Sequence, residues 1–454
     1  MAELIEAGTD VVRINCSHGS WDDRGRQIRL VREAAAAAGK HVAIIGDLQG
    51  PKIRINRFRE GCVTLAEGSR FVLDTAMDPQ AGTADGVGIA YERLPQDVSP
   101  GDSLLLDDGN ILLTVERVAG TRVVCVVVAG GDLSDNKGIN RQGGGLSAAA
   151  LTEKDREDIR YAAGAGLDWL AVSFVRSAAD MVEARELLRK AGGDAHLIAK
   201  IERSEAVTNL ESIIDASDAV MVARGDLGVE TGYAGLTGLQ KKILRLTRAR
   251  RKVAITATQM MESMVHSRVP TRAEVSDVAN AVMDGTDAVM LSAETAIGDF
   301  PVRAVAAMAE VCLGAETYQF SAGRPRDRAD DRFQSINEAI AMAVMYTANH
   351  LQPQAIAALT ETGSTALWMS RVRSDIPIFA FTRHEATCRR VQLYRGVYPV
   401  AFDLSRPDPS LVNQELLALM RKRGHIDEGD LVVITKGDLT GVQGGTNSMK
   451  ILRA

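Results

Sequence analysis

The feature that most narrows the fold is a rhythm. Residues 1–51 and about 145–325 alternate short apolar runs with amphipathic helical stretches. The runs are V-V-R-I-N, H-V-A-I-I-G-D-L, D-W-L-A-V-S-F, H-L-I-A-K-I-E, A-V-M-V-A-R-G, V-A-I-T-A-T and A-V-M-L-S, separated by segments such as T-E-K-D-R-E-D-I-R-Y-A-A-G. Nearly continuous apolar runs are what strands buried on both faces of a parallel sheet require. A long β/α series with polar residues at its strand ends predicts an α/β protein built on a TIM (β/α)8 barrel. Seven such runs are present and the closed barrel has eight strands. Residues 2–7 read as the first barrel helix, so the first barrel strand is expected to be absent from the chain as written.

Two other textures set the domain organisation. Residues 52–140 carry β-branched runs such as L-L-L-D-D-G-N-I-L-L-T-V-E-R-V-A-G-T-R-V-V-C-V-V-V, with Asp-Gly and Ala-Gly turns and no helical period. They predict antiparallel hairpins, an all-β lid inserted into a barrel loop. Beyond the polar stretch G-R-P-R-D-R-A-D-D-R, the run A-I-A-A-L-T and the runs I-P-I-F-A-F-T, Y-P-V-A-F-D and D-L-V-V-I-T predict a separate open α/β domain. The expected division is barrel at 1–51 and 141–328, lid at 52–140, and a C-terminal α/β domain at 329–454.

Composition excludes partners more than it names them. A net charge of −6 gives no global field for nucleic acid or an anionic membrane, so a phosphate-bearing ligand must be held by a few placed cations. The five cysteines are scattered without C-x-x-C spacing, which argues against zinc and against a disulfide framework. No apolar run approaches the roughly 18 residues of a membrane span, and the first residues lack the basic-then-apolar order of a signal peptide. A cytoplasmic protein is expected.

Barrel chemistry sits at the C-terminal ends of strands. Read in order, those ends offer Arg13, Asn15, Ser17 and His18, then Asp47, Ser173 with Phe174, Lys200 with Glu202, Arg224-Gly225-Asp226, Thr258, and Ser292 with Glu294. Strand residues two apart share a face, so Lys200 and Glu202 can both point into the barrel mouth. Alone, such a pair is also what a structural ion pair looks like. Asp226 on the next strand end adds a second carboxylate, and two carboxylates with room for water and substrate oxygens suit Mg²⁺. Gly225 and Asp226, at what reads as a helix start, would offer free N–H groups to a substrate carboxylate.

The segments R-I-N-C-S-H-G, G-D-L-Q-G-P-K-I-R, N-K-G-I-N, A-K-I-E-R, M-V-A-R-G-D-L-G-V-E, I-T-A-T-Q-M-M-E-S-M and the block from P-T-R-A-E-V to M-L-S-A-E-T resemble, in order and over essentially the whole chain, the signature series of pyruvate kinases. The resemblance implies the glycolytic transfer of a phosphoryl group from phosphoenolpyruvate to ADP, giving pyruvate and ATP, with Mg²⁺ or Mn²⁺ as cofactor. By position it implies that Arg13 grips the transferring group and Lys200 stabilises the transition state. Glu202 and Asp226 would hold the metal, and Thr258 would lie near the enolate carbon. Arg13, Lys200, Gly225, Asp226 and Thr258 would contact the substrate. Asn15, Ser17 and Asp47 would line a monovalent-cation pocket, and Asn15, His18, Arg54 and Lys137 would face the nucleotide. A homotetramer is implied as well.

Two departures carry expectations of their own. Cys16 stands where the family usually has phenylalanine; strand alternation turns it away from Asn15 and Ser17, into packing. Potassium-requiring members usually carry threonine, lysine and glutamate where this chain has Leu48, Gln49 and Lys52. An ammonium at Lys52 is expected to fill the monovalent-cation pocket, so that K⁺ is not required. In the last domain, L-T-E-T-G-S-T-A follows a strand and opens a helix. Alone it reads equally as an N-cap; the resemblance makes it an effector loop for a phosphorylated small molecule at Thr360, Thr362, Gly363, Ser364 and Thr365, with G-V-Q-G-G-T-N beside it. Glu361 is expected to disfavour a second phosphate there. Two rivals remain at this point. Another magnesium barrel enzyme of enolates, such as a 2-keto acid aldolase, gives no reason for the lid; a homologue that only binds nucleotide or effector needs none of the catalytic set.

Overall fold

The computed structural model describes residues 1–321, 333, 335–403, 409–437 and 445–454. The polar stretch at 323–332, the boundary expected at 328 and residues 441–444 of G-V-Q-G-G-T-N lie outside the described residues. Seven barrel strands form one curled, all-parallel sheet in chain order: Val11–Asn15, Ala43–Asp47, Trp169–Val172, His196–Ile201, Ala219–Ala223, Val253–Ala257 and Ala288–Met290. Each is one of the seven apolar runs. Among the described residues the first and last of these strands are not paired with each other, and an eighth strand is not present.

Strand parity divides the sheet into two cores. Ile44, Leu170, Val172, Leu197, Ala199, Val220 and Val222 pack outward, against Ile28, Val31, Ile159 and Ala184 of the surrounding helices. Ile45, Trp169, Ala171, Ile198, Met221 and Ile255 point the other way, and their cluster is continuous with Val344, Met345 and Ile356 of the C-terminal domain. Continuing the inward rows toward the strand C-termini brings Arg13, Asp47, Ser173 and Lys200 onto one face. The interior thus changes from apolar to ionic along its own axis.

The helices that follow strands start where the sequence caps them. Ser20 with Asp23, Thr152 with Asp155, Ser177 with Asp180 and Thr271 with Glu274 each form a reciprocal capping box. Asp155 does more than cap, since it also accepts the Gly50 N–H at 3.1 Å. This ties the G-P-K-I-R loop to the helix Glu153–Gly164. Gly50 has φ +66°, and a Cβ there would meet the Phe174 ring at 2.7 Å and Ser173 Cβ at 2.8 Å. Only glycine lets the loop come this close. The M-M-E-S-M stretch is packing, as Met260, Met261 and Met264 are fully buried in one cluster.

The insertion folds as a six-stranded sheet, ordered Ile139–Arg141, Ser103–Leu106, Ile111–Ala119, Arg122–Ala129, Arg70–Asp74, Gly86–Gly88, beside a two-stranded ribbon of Cys62–Leu65 and Gly131–Ser134. Its ladders are antiparallel save the pair Arg70–Asp74 with Gly86–Gly88. Two short helical turns, Leu94–Asp97 and Asp107–Gly109, interrupt what the sequence presents as all β. The C-terminal sheet has the four expected parallel strands, Val397–Ala401, Ile378–Thr382, Ala355–Leu359 and Leu431–Gly437, and a fifth, Thr446–Arg453, added antiparallel at the edge. The sequence T-N-S-M-K-I-L-R hides that strand, because an edge strand open to solvent lacks a continuous apolar run. No helix among the described residues is long and apolar enough to cross a membrane.

Candidate active site

At the C-terminal mouth of the sheet, one buried ammonium organises its neighbours. Lys200 Nζ donates to Ser173 Oγ at 2.8 Å and lies 2.9 Å from Glu202 Oε1 and 3.3 Å from Asp47 Oδ1. Arg13 Nε donates to the other Asp47 oxygen at 2.6 Å. Asp47 is only 1% exposed; burial works against its charge, but Lys200 and Arg13 outweigh it and hold its pKa below the ordinary value. Burial likewise opposes the Lys200 charge, and Asp47 and Glu202 reverse the balance, raising its pKa and keeping it an ammonium. Ser173 Oγ, in turn, donates to Leu48 O at 2.7 Å and so locks the partner that orients Lys200.

Glu202 is buried at 2% exposure and receives the Phe174 N–H at 2.7 Å. Phe174 holds φ +54°, a conformation that costs a non-glycine residue and here aims an amide at the carboxylate. Burial raises the Glu202 pKa, Asp226 adds to the rise, and Lys200 opposes both. A carboxylate pair under mutual repulsion in a shielded site is a donor set for a hard dication. Among the described residues no group of three His, Cys, Asp or Glu forms a ligand cage. Two carboxylates completed by water and substrate oxygens are the Mg²⁺ pattern, so the residues fit that ion.

Lys52 corrects one expectation. Its Nζ lies 3.2 Å from Asp226 Oδ1 and 3.6 Å from Asp108 Oδ1 of the lid, not among Asn15, Ser17 and Asp47. Asp47 already has cations on both oxygens, and Lys52 serves Asp226 instead. Gly225 corrects another. Its N–H is not free but donates to Thr258 Oγ1 at 2.8 Å, and that hydroxyl donates to Ala257 O at 2.7 Å. Thr258 and Gln259 hold φ of +67° and +52°, pinned by Arg224, whose Nη2 donates to both of their carbonyls.

The nucleotide candidates make local contacts. Asn15 and His18 are exposed, and Asn15 Oδ1 accepts the Ser17 N–H at 3.0 Å. Arg54 donates to Asn136 O at 2.9 Å across the two lid hinges, and Lys137 pairs with Asp107 of the lid at 2.6 Å. Cys16 is buried, its thiol pKa pushed up to about 11 by burial, in keeping with packing. In the loop at residues 360–365, Thr360 Oγ1 accepts the Gly363 N–H at 2.9 Å and the Thr365 and Thr446 hydroxyls hydrogen-bond each other at 2.7 Å. Those two hydroxyls are therefore committed internally, and Thr362 donates to Ser364. Glu361 pairs with Arg383, which offsets the charge expected to repel a second phosphate, and also contacts His384.

Sequence reasoning gave no role to Ser173, the Phe174 amide, Asp155 or Arg224, nor to a carboxyl at the lid hinge. Glu230 accepts from Ser204 N–H at 2.9 Å and from Asn140 Nδ2 at 3.4 Å, where the chain returns from the lid. Burial raises its pKa to about 7, and Glu205 adds to the rise against Ser204 and Arg203. A raised folded pKa means stability present at low pH and lost as pH climbs through about 7. Replacing Glu230 by glutamine should therefore remove a penalty. From about pH 5 to 8 the wild type should lose stability relative to Glu230→Gln, by on the order of 1.4 kcal/mol per pH unit at most. Thermal melts of the two proteins across that range check it; parallel pH profiles would contradict it.

Comparison with known proteins adds the following. Residues 1–305 match the family model for the pyruvate kinase barrel domain, and residues 338–452 match that for the pyruvate kinase alpha/beta domain. Pyruvate kinase II of Salmonella typhimurium is 54% identical over 100% of this chain and 95% of its own length. A pyruvate kinase of Haemophilus influenzae is 51% identical over 96% of this chain and 92% of its own. One from Geobacillus stearothermophilus is 42% identical over 99% of this chain and 77% of its own.

Proposed function

The chain belongs to the pyruvate kinase family, and on that premise we propose how its barrel mouth moves a phosphoryl group from phosphoenolpyruvate to ADP. The observation that carries the reading is Lys200, a buried ammonium fixed by Asp47, Ser173 and Glu202, with Arg13 on the same carboxylate. Phosphoryl transfer asks for positioning and charge neutralisation, with little covalent work for the protein. Arg13 grips the phosphoryl oxygens and Lys200 meets the charge that develops on them as the bond to the enol oxygen lengthens. Mg²⁺ or Mn²⁺ held by Glu202 and Asp226 would neutralise phosphoryl and carboxylate oxygens of the substrate. Lys52 would then release Asp226 and keep Asp108 of the lid as its partner. The departing enolate takes a proton from solvent at carbon, on the side of Thr258. Asn15, His18, Arg54 and Lys137 orient ADP under the lid, whose closure keeps water from the transferring group.

The charges at the mouth also bear on potassium. Arg13, Lys52 and Lys200 stand against Asp47, Glu202 and Asp226, three fixed cations against three carboxylates, with Asp108 of the lid beside Lys52 left to solvent. Balance is reached without a monovalent ion, although Lys52 reaches it at Asp226 and not beside Asn15, Ser17 and Asp47. Pyruvate formation measured with a coupled dehydrogenase should require both ADP and Mg²⁺, and in tetramethylammonium buffer should change little on adding KCl. Pyruvate formation without ADP would overturn the phosphotransfer reading. A rise of roughly tenfold or more with KCl, in the range by which a bound cation stabilises a transition state, would overturn the charge balance alone.

The loop at residues 360–365 is the proposed seat of a phosphorylated effector. Ser364, which accepts from Thr362, and the backbone after Gly363 are its available donors, and Arg383 and His384 stand at its rim. A homotetramer is proposed by family analogy. The exposed Leu313 and Tyr318 of the helix Pro301–Ser321 and Ile451 on the edge strand of the C-terminal sheet supply apolar surface for it.

A further inference from the structure

Behind the loop that follows the first barrel strand lies a buried cation with no part in the chemistry above. Arg24, in the first turns of the helix Trp21–Ala37, is 3% exposed. Its Nη2 donates to Cys16 O at 2.6 Å, His18 O at 3.2 Å and Gly19 O at 3.1 Å. Lys154 Nζ reaches Cys16 O as well, at 2.7 Å. Both cations share the buried Asp158, at 3.5 Å from Arg24 Nη1 and 2.5 Å from Lys154 Nζ. Trp21 closes the arrangement: its Nε1 donates to Asp158 at 2.7 Å, and its ring lies 4.9 Å from the Arg24 guanidinium carbon.

Three carbonyl oxygens from four consecutive residues converge on one guanidinium nitrogen, and its positive charge offsets their mutual repulsion. While the carbonyls of residues 16, 18 and 19 turn to Arg24, the side chains of Asn15 and His18 stay exposed. We propose that Arg24, charge-balanced by Asp158 and assisted by Lys154, is a positioning residue for the nucleotide. It fixes the 15–19 loop so that Asn15 and His18 are preset for ADP. The inference rests on the reading that these two residues face the nucleotide, so its test must separate the two ideas.

Arg24→Ala, Arg24→Lys and His18→Ala are compared in steady state, well below the melting temperature of each. Displacing a positioned group by about an ångström costs up to roughly 10²-fold. Arg24→Ala should accordingly raise the ADP KM about tenfold or more, leave the phosphoenolpyruvate KM within about twofold, and recover on adding sub-denaturing guanidinium ion, which fits the vacated space under Trp21. Arg24→Lys keeps the charge but is shorter and lacks the second nitrogen that reaches Asp158, so its ADP KM should rise by less in the same direction; it carries the test if Arg24→Ala does not fold. A residue that only stabilises the fold would lower the melting temperature without separating the two KM values. If His18→Ala raises the ADP KM and the folded Arg24 variants do not, the positioning inference is wrong. If none of the variants changes the ADP KM, the nucleotide reading falls and the inference with it.

Discussion

Lys200→Met is expected to lower kcat by at least about 10²-fold with little change in either substrate KM, the pattern of an interaction made chiefly in the transition state. The side chain sits where three partners fix it, so its charge is in place before the substrate arrives. A preorganised charge in a shielded site is worth far more than the same charge in water. Methionine keeps the length and removes the ammonium. It also leaves Asp47 with Arg13 alone, and loss of one partner from a buried ion pair typically costs about 3–5 kcal/mol. Arg13 remains on Asp47, but Glu202 loses the ammonium 2.9 Å away, so the loss should fall within that range. Melting temperature is therefore measured beside kcat: a folded variant with depressed turnover supports the role, and near-normal turnover removes it.

The second large effect is expected at the carboxylates. Glu202→Gln and Asp226→Asn each keep shape and remove a charge that Mg²⁺ would use. Changes to groups that merely orient a ligand cost roughly 10–100-fold in metal affinity or activity. Loss of the ligand charge itself should shift half-saturation by Mg²⁺ at least as far and lower turnover with it. The two variants should differ in a second property. Asp226 is the partner of Lys52, so Asp226→Asn frees that ammonium, whereas Glu202→Gln leaves the pair intact and relieves a buried charge. Mg²⁺ titrations of initial rate, repeated with Mn²⁺, check both. Half-saturation unchanged in either variant would mean that carboxylate is not a ligand.

Much of this architecture is legible in the chain because its signals are local. Seven apolar runs become seven parallel strands, and a period of two along each places Arg13, Asp47 and Lys200 on the inner face. What is not legible is the partner each side chain finds at long range. Lys52 stands five residues from Asp47 in sequence yet pairs with Asp226, 174 residues away. The capping box at Thr152 and Asp155 is readable as a helix start, but not that Asp155 also holds the Gly50 amide 105 residues earlier. Arg24 looks like an ordinary charged residue on an amphipathic helix. Its burial follows only once the 16–19 carbonyls and Asp158 are in place around it. The edge strand Thr446–Arg453 is missed for the opposite reason, since its local pattern is too polar to announce a strand.

Phosphorus NMR tests the central claim most directly, because it follows the transferred atom itself. With wild-type protein, phosphoenolpyruvate, ADP and Mg²⁺, the phosphoenolpyruvate resonance should fall in step with the rise of the ATP γ-phosphate resonance, with no matching growth of inorganic phosphate, and Lys200→Met should slow this conversion without diverting it. Inorganic phosphate appearing in place of ATP, or conversion by the Lys200 variant at the wild-type rate, would contradict the account.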